Sequence, residues 1–257
     1  MVQERIISFW NFIIDRMKGL IPAAGKGTRM EPFTNAYPKE LLPVGEKAVI
    51  HHAIEDMKAA GIEDICIVVG WKQHAIMDYL GSGEDLGVQL TYVVQDERDG
   101  LAGAVKSAEH YIKDESFAVV LGDNYVDDKQ ALKDLVEFHN TEGFDATIGA
   151  FRPQDVTSYG VLDVEGNEVK GMVEKPSEDE APSNIAISGM YVFEPEIFDA
   201  IEDVGKGKGG EYQLTDAIDI LRQRHDNVGY KDIIGTRIDV GTPERLREAN
   251  REFDLRD

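Results

Sequence analysis

Apolar positions along the chain alternate between two patterns. Short continuous blocks rich in Val, Ile and Leu read as strands buried on both faces, and between them apolar residues recur every three or four positions, as on helices. The strand blocks are Gly19 to Ala23, Asp64 to Gly70, Gln89 to Gln95 and Phe117 to Gly122. Helical periods span Val49 to Ala60, Gln73 to Leu80 and Leu101 to Ile112, the last with Leu101, Val105, Ala108 and Ile112 on its buried face. Strand and helix in alternation predict a mainly parallel, Rossmann-like α/β sheet flanked by helices. After Asp123 the rhythm changes. A helix at Gln130 to His139 is followed by strand-like stretches at Ala146 to Phe151, Gly160 to Val164, Glu168 to Glu174 and Ala186 to Phe193. Turn chemistry such as Glu165-Gly166-Asn167 joins them, which predicts an inserted antiparallel part suited to a second substrate. Helices at Glu196 to Ile201, Leu214 to Arg224 and Pro243 to Phe253 close the chain, with a strand expected from Tyr230 to Asp239.

The N-terminus stands apart. Ile6, Trp10, Ile13, Ile14 and Met17 follow helical spacing opposite Glu4, Ser8, Asn11 and Asp15, an amphipathic pattern. Residues 1–16 are therefore read as an extension, either such a helix or sequence upstream of a start at Met17. Residues 17–257 are read as one domain. No apolar run approaches the ~20 residues of a bilayer span.

Composition narrows the function. With 27 Lys plus Arg against 49 Asp plus Glu, the net charge of -22 argues against a surface that binds nucleic acid or anionic membrane. A polyanionic ligand must then meet local cations. The acid excess points to a salt-adapted, halophilic setting, with an ordinary acidic enzyme as the alternative. Cys66 is the only cysteine, so the chain has no internal disulfide, and a reducing, cytoplasmic location is expected. None of the six histidines is spaced as a zinc ligand.

The chemistry is concentrated in loops that follow strands. The first strand runs into Ala23-Ala24-Gly25-Lys26-Gly27-Thr28-Arg29, small residues that let backbone N–H groups approach a phosphate, with Lys26 and Arg29 adding charge. The spacing is neither a P-loop nor G-x-G-x-x-G. Pro38-Lys39-Glu40-Leu41-Leu42-Pro43 follows. Asp123 ends the apolar strand Ala118 to Leu121, where a carboxylate has little structural reason to sit without a ligand. Asp239 ends Arg237-Ile238 in the same manner.

In this order the segments PAAGKGTRM and PKELLP resemble the opening signature of the sugar-1-phosphate nucleotidylyltransferases. Further matches are Gln95 with Asp99-Gly100-Leu101-Ala102, Leu121-Gly122-Asp123-Asn124, Tyr159-Gly160-Val161, Glu174-Lys175-Pro176, Gly189-Met190-Tyr191, GEYQLTD at 210–216 and Ile238-Asp239-Val240-Gly241. The resemblance covers nearly all of Lys18 to Phe253. It implies a nucleotidyltransferase acting on a nucleoside triphosphate and a sugar 1-phosphate, with Mg²⁺ held by Asp123 and Asp239. Arg29, Lys39 and Lys175 would be catalytic, the first two at the triphosphate and Lys175 at the sugar phosphate. Ala23, Ala24, Gly25, Gly27, Thr28, Gln95 and Gly100 would bind the nucleotide. Gly160, Glu174, Gly189 and Tyr191 would line the sugar pocket. Taken without the resemblance, Glu174 and Lys175 read as a surface ion pair, and Gly160, Gly189 and Tyr191 as a turn and a packed aromatic.

PAAG, PKE and GGEYQLTD resemble the glucose-1-phosphate uridylyltransferases, which implies UTP and glucose 1-phosphate as substrates and UDP-glucose and pyrophosphate as products. The thymidylyl version is the alternative. Those enzymes usually carry a second Gly where Ala24 stands and an Arg where Gly209 stands, next to Lys208. The Trp that often precedes the second metal Asp is absent, with Arg237 in its neighbourhood. Ala24 adds a methyl near the nucleoside. A non-catalytic sugar-nucleotide sensor is the rival of another class, and intact Arg29, Lys39, Asp123 and Asp239 weigh against it. A glycosyltransferase lacks its Asp-x-Asp, since Asp123-Asn124-Tyr125 stands there. A homo-oligomer stays open.

Overall fold

The computed structural model describes residues 17–207 and 210–255. The proposed N-terminal helix, Lys208 and Gly209 lie outside them. In chain order the strands are β1 (Lys18–Ala23), β2 (Pro43–Val44), β3 (Lys47–Ala48), β4 (Asp64–Val69), β5 (Gln89–Val94), β6 (Phe117–Val120) and β7 (Asn124–Val126). They continue with β8 (Ala146–Phe151), β9 (Gly160–Glu165), β10 (Glu168–Glu174), β11 (Ala186–Phe193), β12 (Val228–Asp232) and β13 (Arg237–Asp239). Nine of them form one sheet in the order β5-β4-β1-β6-β11-β8-β12-β10-β9.

The first four run parallel, with β1 between β4 and β6. Their apolar residues point alternately to two cores. Leu20, Cys66, Val68, Phe117 and Val119 face helices Leu101–Ser107, Ile197–Glu202 and Leu214–His225. Ile21, Ile65, Ile67, Ala118 and Val120 face helices Val49–Ala59 and Ala131–Glu142. Burial on both sides accounts for the continuous apolar runs in β1, β4 and β6, whereas β5, at the sheet edge, is only partly buried, contrary to the expectation from its sequence.

The antiparallel part is no separate layer. β11 pairs antiparallel with both β6 and β8, and so carries the same sheet onward. The β9–β10 hairpin continues it to the far edge, and β12 lies parallel to β8. The fold is thus mixed α/β, as the pattern implied.

Two expected elements are divided. The helix from Leu101 to Ile112 stops at Ser107 and resumes at Glu109, with Ala108 as the junction. The strand expected from Tyr230 to Asp239 is β12 and β13, in different sheets. Gly235, at φ 96°, turns the chain between them, and a side chain there would strike Asp127. β13 then pairs antiparallel with β7, setting Asp239 opposite Asn124. This small sheet packs through Tyr125, Ile238 and Val240 against the C-terminal helix Pro243–Asp254. Thr242 caps that helix, its hydroxyl oxygen accepting from the Arg245 N–H at 3.3 Å, and proline follows at the first helical position.

Candidate active site

The chain winds from β1 outward through β4 and β5, then returns to β6 on the other side of β1. Open α/β sheets bind ligands at such a reversal, at the carboxyl ends of the strands. A cleft of about 600 Å³ opens there. Its walls include Ala24, Gly25, Gly27, Thr28, Arg29, Lys39, Gln95, Gly100, Asp123, Gly160, Glu174, Lys175, Gly189, Tyr191 and Asp239. These residues come from loops spread across the chain, and the fold gathers them. Ala23 is the exception: it is the last residue of β1 and is buried in the core beneath the loop.

At the centre lies a charged triad. Lys39 pairs directly with Asp123, the two side chains being 16% and 13% exposed. Asp123 follows β6, and its carbonyl accepts the Val240 N–H at 2.8 Å, which brings the β13 end and Asp239 alongside. Burial opposes charge on Lys39, but Asp123, Glu40 and Asp239 outweigh it and hold the ammonium above its ordinary range. Burial likewise works against the Asp123 carboxylate, and Lys39 more than offsets it, keeping Asp123 low. Asp239 moves the other way: burial and the Asp123 charge both push it up. Its Oδ1 is enclosed without a hydrogen-bond partner. Two converging carboxylates, one with an unsatisfied oxygen, are a donor set suited to a hard divalent cation. Among the described residues no group of three His, Cys, Asp or Glu side chains comes together as a ready metal site, so such an ion would need oxygens from its ligand.

Glu40 was not singled out by its sequence position. It is 2% exposed, its Oε2 lacks a partner, and burial raises it to about 7 despite the opposing Lys39 charge. It sits beneath Gly122, where an added Cβ would come 3.4 Å from its Cγ.

In the loop after β1 the glycines have steric work. Gly27 has φ 63°, and a Cβ there would meet Thr34 at 3.0 Å and the Lys39 stem at 3.3 Å. The loop therefore lies flat along Lys39. Arg29 extends beside Asp239: a Cβ on Gly241 would lie 3.2 Å from its Nη2 and 2.9 Å from Asp239 Oδ1. Gln95 is buried, and its amide nitrogen donates to Asp99 Oδ1 at 2.9 Å and to the Gly100 carbonyl at 3.2 Å. The Gln95 amide thus fixes the loop that carries Gly100. The Ala24 methyl lies against Gly70, where an added Cβ would come within 3.0 Å of it, and the residue is 5% exposed.

Lys175 and Glu174, also on the cleft wall, form an ion pair of 2.9 Å, with Lys175 48% exposed. Lys175 adopts φ 46°, and its N–H donates to the Tyr159 carbonyl at 2.9 Å. Glu174 Oε2 accepts from Thr215 Oγ1 at 3.2 Å. A Cβ on Gly160 would reach Ile187 at 2.8 Å and Glu174 at 3.2 Å, so glycine keeps this wall thin. Tyr191 is buried and stacks on Phe193 with ring centroids 5.5 Å apart. Burial pushes its hydroxyl up, so it stays a neutral hydrogen-bonding group.

Arg237, two residues before Asp239, is 9% exposed. Its Nε donates to the Ser188 carbonyl and its Nη2 to Asn124 Oδ1, both at 2.7 Å, between the rings of Phe151 and Tyr159. The Asn124 amide also donates to Ser188 at 2.8 Å. These bonds tie the strand end that carries Asp239 to the bulge at Gly189. Sequence reasoning missed this buried arginine as a site residue because an isolated Arg in a strand carries no motif.

Comparison with known proteins agrees with this geometry. Residues 18–255 match the nucleotidyl transferase family. UTP–glucose-1-phosphate uridylyltransferase 2 of Staphylococcus saprophyticus is 40% identical over 269 residues, covering 93% of this chain and 92% of that protein. The low-salt glycan biosynthesis nucleotidyltransferase Agl11 of Haloferax volcanii is 40% identical over 237 residues, covering 91% of this chain but 65% of the longer relative. A solved UDP-glucose pyrophosphorylase in complex with UDP-glucose superposes with a TM-score of 0.87 at 32% identity, covering 94% of this chain and 99% of that one. With its cleft at the sheet reversal and its motifs matched from end to end, the chain belongs to the nucleotidyl transferase family and is a nucleotidyltransferase.

Proposed function

We propose that the protein joins UTP and glucose 1-phosphate into UDP-glucose and pyrophosphate. A phosphate oxygen of the sugar phosphate attacks the α-phosphorus in line. The new P–O bond forms as the bond to the bridging oxygen breaks, and its electron pair leaves on pyrophosphate. The nucleophile is already an anion, so the chain needs to supply position and charge neutralisation more than a proton acceptor.

The observation that carries this reading is the spread of cations along one cleft. Arg29 lies beside Asp239, Lys39 pairs with Asp123, and Lys175 pairs with Glu174, all on the walls of the same cleft. One cleft can thus offer cations to two phosphate ligands at once. Arg29 and Lys39 hold the triphosphate and take up charge at the α-phosphoryl group. Lys175 orients the sugar phosphate, Glu174 accepts from a sugar hydroxyl, and Gly160, Gly189 and Tyr191 shape the pocket. Gln95 and Gly100 border the base, with Ala24, Gly25, Gly27 and Thr28 along the phosphates. Asp123 and Asp239 would hold Mg²⁺, which supplies Lewis-acid neutralisation of phosphate oxygens when bound.

Uridylyl transfer is favoured over thymidylyl by the wording of the motifs and by the uridylyltransferase relatives. Among the described residues no helix is long and apolar enough to cross a membrane. We place the reaction in the cytoplasm. Pyrophosphate release, measured with each of several nucleotides against each of several sugar phosphates, tests the proposal. The highest kcat/KM is expected with UTP and glucose 1-phosphate, and Asp123→Asn should abolish most turnover in a folded protein. A tenfold preference for dTTP would change the nucleotide and keep the class. No release from any pair would overturn the reading.

A further inference from the structure

Arg237 lines the cleft, yet its hydrogen-bond partners are neutral oxygens, the Ser188 carbonyl and Asn124 Oδ1, and its Nη1 is enclosed with none. Its guanidinium carbon lies 5.1 Å from the Phe151 ring centroid and 5.3 Å from that of Tyr159. Burying a guanidinium on neutral partners costs stability that an apolar side chain of similar volume would not. Stability therefore does not account for a cation here. What the guanidinium joins are two parts of the site. Ser188 belongs to the bulge in β11, where Gly189 has φ 85° and an added Cβ would come 2.5 Å from Asn124 Nδ2. The Gly189 carbonyl accepts from the Leu121 N–H at 3.1 Å, in the segment that leads to Asp123. Asn124 follows Asp123 directly and stands opposite Asp239 in the β7–β13 pair. Tyr159, whose ring rests against the guanidinium, holds the Lys175 N–H on its carbonyl at 2.9 Å and receives Arg245 of the C-terminal helix on its hydroxyl at 3.3 Å.

We propose that Arg237 is a positioning residue that registers the sugar-phosphate wall of the cleft against Asp123 and Asp239. By bridging Ser188 and Asn124 while packed on Tyr159, it sets how Gly189, Tyr191 and Lys175 stand relative to the two carboxylates, and so the line along which the sugar phosphate meets the α-phosphorus. This rests on the proposed reaction and deepens its account of the acceptor side. The planar edge formed by Nε and Nη2 meets both acceptors at 2.7 Å, a geometry that a lysine ammonium does not have. The loops proposed to hold the nucleotide are fixed by other contacts, Gln95 on Gly100 and Thr34 on Gly27, so they do not depend on Arg237.

The test compares the full chain with Arg237→Ala and Arg237→Lys. With UTP and glucose 1-phosphate, Arg237→Ala should raise KM for the sugar phosphate about tenfold and lower kcat roughly 10²-fold, the scale of a 1 Å misplacement, while KM for UTP stays within about twofold. Guanidinium chloride at about 20 mM, far below the molar range in which it unfolds proteins, should raise kcat of Arg237→Ala about tenfold, because the vacated space keeps both acceptors and both rings. Equal sodium chloride should not, and guanidinium should not stimulate the unmodified chain. Arg237→Lys, charged but without the fork, should stay closer to Arg237→Ala than to the unmodified chain. Calorimetry gives a readout apart from turnover: Arg237→Ala should bind UDP-glucose about tenfold more weakly and UMP as before. An equal rise in KM for both substrates, no guanidinium response in a folded Arg237→Ala protein, or failure of the unmodified chain to bind UDP-glucose would overturn the inference. Should Arg237→Ala not fold, an unchanged sugar-phosphate KM and UDP-glucose affinity in Arg237→Lys would overturn it as well. If UDP-glucose binding depends on Arg237 as stated yet no substrate pair releases pyrophosphate, the proposed reaction fails and the positioning role stands; if UTP and glucose 1-phosphate react and Arg237→Ala leaves the kinetics unchanged, the role fails and the reaction stands.

Discussion

Gly100→Ala is the sharpest single perturbation of the loop proposed to border the nucleotide. Gly100 has φ 121° and ψ -178°, a region that only glycine enters readily, at a cost of about 1–3 kcal/mol for any other residue. An alanine Cβ there would lie 2.4 Å from the Tyr212 carbonyl oxygen and 2.8 Å from its nitrogen. Ordinary contact begins near 3.4 Å, so one partner must retreat by about 1 Å. Neither can do so cheaply. The Tyr212 N–H donates to the Asp99 carbonyl at 2.6 Å, its carbonyl accepts from Ala102 at 3.1 Å, and Gln95 holds Gly100 from below. The displaced segment is the wall proposed to border the base, and a misplacement of about 1 Å in an active site can cost roughly 10²-fold. Gly100→Ala should therefore lower kcat/KM for the nucleotide by about that factor and lower the melting temperature by several degrees. Gly143→Ala is the control. Gly143 also has positive φ, 71°, but an added Cβ meets nothing within 4 Å, so stability alone should fall. Steady-state kinetics with thermal unfolding reads both effects. A folded Gly100→Ala enzyme with ordinary kcat/KM would refute the assignment of this loop to the nucleotide.

Three further outcomes are expected. Arg29→Ala should lose roughly 10²-fold or more in kcat, and Arg29→Lys should recover only part, since the planar fork is lost; a change confined to KM would make Arg29 a binding residue only. Asp56 is 1% exposed beside Lys129, and burial raises its carboxyl to about 6. A raised acid favours the folded state while protonated, so its contribution is full below about 4 and is lost as pH rises through 6. The unfolding free energy relative to Asp56→Asn should fall over that window, and a flat difference would refute it. Lastly, a net charge of -22 should make melting temperature and activity rise toward molar salt, where the Debye length is about 3 Å; best performance in dilute buffer would remove the salt-adapted reading.

Sequence alone reached far here because the informative signals are local. Continuous apolar runs mark strands buried on both faces, and glycines and prolines mark the loops after them, so β1, β4 and β6 were legible along with the loops that end in Arg29 and Asp123. Those loops need particular backbone conformations, which restrict the residue types and so leave a readable trace. Contacts between distant segments leave none. Nothing near Arg237 announces that it turns inward to Ser188 and Asn124, or that Gly235 redirects the chain so that Asp239 meets Asp123. The broken strand between Tyr230 and Asp239 looked continuous because Tyr230, Ile233, Ile234 and Ile238 spread β-forming residues across the break, and only pairing partners distinguish one sheet from another. The burial that raises Glu40 likewise depends on which loops become neighbours in space. Local residue types set the elements and the chemistry available; the packing of the sheet and its return past β1 decided which charges face one another, and pairwise charge energies depend on distance and burial that no linear spacing records.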